Sequence, residues 1–188
     1  MPASAHKSCS GKTAREGPPR VIDDPARRGG TLAEFALAAL PRLWREIAES
    51  AGLPEASGPH RHEWDCFGLY ACVRGLVAAG GFNRETAAAV DAFHAGVIHA
   101  WERDLPEGGD PRRVMLAERY GEYGAIGQDG GASGAATVTK RLGEACAAHF
   151  AAVAGARSSL AADDLADLLG SVHEALVEGA TEAVREAA

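Results

Sequence analysis

The chain has 188 residues, 46% of them hydrophobic, and a formal net charge of −7, enough for one ordinary domain. Its first thirty residues hold six basic and three acidic side chains, which leaves −10 on the remainder. An acidic body lacks the basic face that phosphate contact needs, which argues against nucleic-acid binding. No N-terminal apolar segment of signal-peptide type and no run of about 18 apolar residues occurs, so a cytoplasmic, reduced setting without a membrane span is expected.

Leu, Ile, Val and Phe together make up only 35 residues, and alanine fills much of the remaining apolar share. Alanine favours helix because it loses no side-chain entropy. It also buries little area, so a lean core is expected, one that a partner or a second copy would complete.

Residues 1–30 read as a disordered basic tail, because Pro2, Gly11, Gly17, Pro18, Pro19, Pro25, Gly29 and Gly30 leave no room for an element. A first helix begins at Thr31, which with Glu34 forms a capping-box pattern. It carries Leu32, Phe35, Leu40, Leu43, Trp44 and Ile47, and Pro41 predicts a kink or break within it. A second helix spans 59–79 and ends at Gly80-Gly81. Asn83 caps a third, whose stripe is Val90, Phe93, Val97, Ile98, Trp101 and Leu105. Asp110-Pro111 starts a fourth, running to about Gln128. Residues 129–134 read as a flexible connection. The fifth helix covers 135–154, and the sixth runs from about 162 to the C-terminus with Leu165, Leu168 or Leu169, Val172, Leu176, Ala180 and Val184. No segment alternates as a strand does. The fold class is therefore all-α, a bundle of about six helices over residues 31–188.

Three groups of residues draw chemical interest. His60, His62, Glu63 and Cys66 form the densest set of potential metal ligands, and His99 with Glu102 shares a face of the third helix. A metal site in a bundle would need such pairs from several helices, and the Glu-x-x-His of di-iron bundles is missing. A haem would require an axial histidine in an apolar pocket, for which His94 or His149 is placed. Glu118, Tyr120, Glu122 and Tyr123 form the second group. Buried glutamates there would have raised pKa values, and the tyrosines could line a ligand pocket. The third is Cys146 with His149, one helical turn apart, where a reactive thiol would need the imidazole as base. Ser8-Cys9-Ser10-Gly11-Lys12-Thr13 ends like a phosphate-binding loop, but His6 stands where the pattern needs glycine.

With no catalytic constellation evident, the expected function is non-enzymatic. The chain reads as an interaction or adaptor protein, or a chaperone-like one, acting through a helical surface, with a protein partner or self-association. The alternatives are a metal- or haem-binding bundle with redox or hydrolytic activity, and a small-molecule sensor or enzyme with its pocket near Glu118–Tyr123.

Overall fold

The computed structural model describes residues 24–56, 58–103, 110, 112–155 and 157–187, without the side chains of 129–133. These form six helices: α1 Pro25–Ala51, α2 Gly58–Gly80, α3 Arg84–Glu102, α4 Arg112–Ser133, α5 Ala135–Ala152 and α6 Ala162–Ala187. Among the described residues there is no strand. No described helix is long and apolar enough to cross a membrane. The Gly11-Lys12-Thr13 segment and Cys9 lie outside the described residues.

Helix α1 starts six residues before the expected Thr31. Asp24 is its cap: Oδ1 accepts from the backbone N–H of Ala26 at 3.0 Å and of Arg27 at 3.3 Å, and Pro25 takes the first helical position, where no N–H is missed. Gly29, which locally reads as a breaker, is wanted for packing. A Cβ there would sit 2.4 Å from the Ala89 carbonyl oxygen and 2.8 Å from the Phe93 nitrogen of α3. The helix runs unbroken through Pro41, which removes one N–H but leaves the turns on either side to hold the element. It ends at Gly52 (φ 64°) in the left-handed conformation.

The Asn83 and Asp110 caps form as their residue types require. Asn83 Oδ1 accepts from Thr86 N–H at 2.8 Å, and Asp110 Oδ1 from Arg112 N–H at 2.8 Å. Helix α4, however, continues through the expected connection to Ser133. The turn is made by Gly134 alone, at a φ of 82° that only glycine adopts without strain.

Helix α2 is the axis of the molecule, touching all five others, while α1 packs most extensively on α3, and α5 on α6. Residues 63–69 are buried without interruption, so this stretch has no solvent face.

The core is fuller than composition suggests. Trp44, Trp64, Phe67, Phe93, Tyr123 and Phe150 are all under 2% exposed. Each such ring contributes about 1.5–3 kcal/mol by leaving water. The indole N–H groups are satisfied, Trp64 donating to the Leu40 carbonyl and Trp44 to that of Glu55, both at 2.9 Å. Among the described residues the exposed large apolar side chains are Leu37, Phe82 and Val114. The lean core expected from the alanine content is thus corrected: alanines close the helix contacts, and aromatic rings fill the interior.

Candidate functional site

The stretch 63–69 of α2, buried on every side, has no place for a solvated charge, yet it carries two carboxylates. Glu63 is 5% exposed and Asp65 1%. Arginines from α4 reach both. Arg119 grips Glu63 with two hydrogen bonds, Nε to Oε2 at 2.7 Å and Nη2 to Oε1. This bidentate contact holds the guanidinium charged, well above its ordinary pKa. Asp65 is held from two sides: Arg61 Nε donates to Oδ1 and Arg112 Nη1 to Oδ2, each at 2.7 Å. Arg112 also chelates Asp110, its Nε donating to both carboxylate oxygens at 2.9 Å. Burial opposes ionisation of Asp110, but the hydrogen bonds from Arg112 prevail and hold its carboxyl below the usual range. For Arg112 burial again works against the charge and is outweighed, here by Asp110 and Asp65. Its guanidinium lies 3.9 Å over the Trp101 ring.

The Asp65 cluster lines a cavity of about 160 Å³. Leu40 and Pro41 of α1, Leu69 of α2 and Trp101 of α3 form apolar parts of its wall, and Arg61, Asp65 and Arg112 its polar part. A larger groove of about 580 Å³ runs between α5 and α6. Every charged side chain along it is exposed, so nothing charged has been desolvated to build it.

The expected metal set is spread over several directions. His60 is buried, its Nε2 donating to the Phe150 carbonyl of α5 at 3.2 Å. His62 is half-buried, and burial followed by the Arg112 charge pushes its pKa down. Glu63 turns to Arg119. Cys66 is enclosed, and burial raises its thiol to about 12. On α3, His99 is exposed and Glu102 meets Arg113 at 3.4 Å. Among the described residues no three His, Cys, Asp or Glu side chains converge as a metal ion would require. The residues proposed as haem ligands are engaged elsewhere, His94 with the Tyr120 hydroxyl at 2.9 Å and His149 with Glu122 at 2.6 Å.

The second group divides by face. Glu118 and Glu122 are exposed, while Tyr120 is half-buried and Tyr123 fully buried. Tyr120 and Tyr123 both pack on Tyr70, with ring centres 5.6 and 5.5 Å away, and Tyr70 donates to the Tyr123 carbonyl at 3.0 Å. The Tyr123 hydroxyl lies against the Cys146 thiol without a well-formed hydrogen bond. Burial raises that thiol far above its ordinary pKa, and His149 pairs with Glu122, so Cys146 is not held as a thiolate.

Two features escaped the sequence. The pairing of Asp65 with Arg112 spans 47 residues, and only its Arg61–Asp65 half has a visible i, i+4 spacing. His173 is the other. It is completely buried against Phe67, with ring centres 4.7 Å apart, and neither ring nitrogen has a hydrogen-bond partner. Its spacing from Leu165, Leu169, Leu176 and Ala180 marks it as core-facing, whereas Val172, placed on that stripe by the sequence, is half-buried. Set against known proteins, the chain matches no family model, no curated protein and no solved structure.

Proposed function

We propose that the protein binds a small molecule, as a sensor or carrier, in the cavity walled by Asp65, Arg112 and Trp101. The observation that supports this is Asp65 itself, a carboxylate 1% exposed that stands at the cavity wall between two arginines. Desolvating such a group costs several kcal/mol, and an apolar residue of similar size would serve stability as well or better. A charged wall in an apolar cavity has the make-up of a binding site, with few polar groups fixed amid hydrophobic surface. Both Asp65 oxygens are engaged, and no nucleophile and base stand together there, so the reading is binding rather than turnover.

The test is a two-dimensional NMR titration with benzene-sized compounds. The Trp101 indole N–H and the Leu69 amide are expected to shift, and Leu37→Phe, at the cavity rim, is expected to suppress the response. Unchanged signals at both positions up to millimolar ligand, or shifts confined to the α5–α6 groove, would retire the reading.

A second reading, self-association through a helical surface, rests on Phe82. Its side chain is 96% exposed in the turn between α2 and α3, beside Val77 and Val90. Sedimentation of the wild type and of Phe82→Ser decides it: a concentration-dependent dimer lost in the variant supports it, and a monomer throughout removes it.

A further inference from the structure

The charged cluster behind the polar wall, which includes Asp110 outside the lining, is balanced in charge and unbalanced in hydrogen bonds. Arg61 and Arg112 carry two positive charges, and Asp65 and Asp110 two negative ones, all joined in one chain of contacts. His62 beside them is held toward its neutral form. Each Asp65 oxygen already takes a charged donor, Oδ1 the Arg61 Nε and Oδ2 the Arg112 Nη1. The donors are less fully used. Among the described residues Arg61 commits only its Nε, which leaves both terminal amino groups without a partner there, on a side chain 27% exposed at the cavity. A guanidinium presents five N–H donors and no acceptor.

Resting on the small-molecule reading above, we infer that the ligand is an uncharged, compact compound with one oxygen acceptor, most simply a carbonyl, on an apolar body about the size of a benzene ring. The oxygen accepts from the Arg61 amino groups, and the body lies against Leu40, Leu69 and Trp101. The size follows from the volume of about 160 Å³, close to the roughly 150 Å³ of an apolar cavity that holds benzene. Charge excludes the ions. A carboxylate would add a third negative charge to a cluster that Asp65 and Asp110 already neutralise. An ammonium would meet two guanidiniums around Asp65, whose side chain is only 1% exposed.

The experiment is a calorimetric titration of the full chain with three probes of nearly one shape: acetophenone, its hydrocarbon isostere isopropenylbenzene, and benzoate. Acetophenone is expected to bind about tenfold tighter than the hydrocarbon, the worth of one hydrogen bond from a charged donor, and benzoate no tighter than the hydrocarbon. In Arg61→Met the hydrocarbon should keep its affinity and the preference for the ketone should fall within about twofold. The comparison among probes on the wild type stands even if that variant does not fold. Equal affinity for ketone and hydrocarbon, or tightest binding by benzoate, overturns the acceptor assignment and leaves the cavity as the binding site. Absence of binding by all three, with no shift at Trp101, overturns both.

Discussion

Arg112 holds its guanidinium 3.9 Å above the Trp101 ring while its Nη1 donates to Asp65. The ring thus serves as a platform that orients the charge toward an interior carboxylate. Replacing it by Leu should cost about 1–2 kcal/mol, from the lost cation–π contact and packing. Trp101→Phe should restore about half of that. Urea unfolding with an unchanged slope is the check.

The Glu63–Arg119 pair should show the asymmetry of interior ion pairs. Arg119→Met leaves Glu63 buried without its partner and is expected to destabilise by about 3–5 kcal/mol. Changing both, Glu63→Met with Arg119→Met, should return to within about 2 kcal/mol of wild type, because no charge is then stranded. A double-mutant cycle with a coupling near zero would contradict this.

Adjacent glycines in α1 should respond in opposite directions. Gly29→Ala drives a Cβ onto α3 backbone and should cost about 1–3 kcal/mol as overpacking. Gly30→Ala meets nothing within 4 Å and should add about 0.5–1 kcal/mol through helix propensity. Thermal midpoints of the two variants give the answer.

Acid sensitivity should trace to His173. Burial, then the Arg74 charge, lowers its pKa to about 3, against about 6.5 unfolded. The unfolded chain therefore takes up the proton first, and stability falls as pH drops from about 6.5 toward 3, with no contribution above 6.5. The loss between pH 6.5 and 5 is about 2 kcal/mol. His173→Leu strands no polar nitrogen, so it should match or exceed wild-type stability at pH 7 and lose that part of the pH slope. Equal slopes in variant and wild type would refute the assignment.

The sequence shows best what local chemistry decides. Val90, Phe93 and Val97 form the α3 stripe, and Asn83 caps it through its own side chain. It misleads where tertiary packing overrides a local rule. Gly29 and Gly30 look like breakers, but α3 comes so close to Gly29 that the missing side chain is what the contact needs. His60, His62, Glu63 and Cys66 look like one cluster because they are near in sequence. On a helix each residue turns about 100° from the last, so these residues meet different neighbours, Phe150 for His60 and Arg119 for Glu63. The cavity was illegible for a related reason: its charges come from α2 and α4, and no spacing along one helix foretells which arginine crosses to which carboxylate.

Enclosure of α2 also sets an order on biosynthesis. Its cover includes α6, the last described helix, where His173 packs on Phe67 and Thr181 donates to the Gly75 carbonyl, so this side of α2 cannot leave water until translation has reached the 180s. Before that, the nascent chain carries an incompletely covered central rod. Shortening α6 should therefore remove the whole native state rather than trim one edge of it.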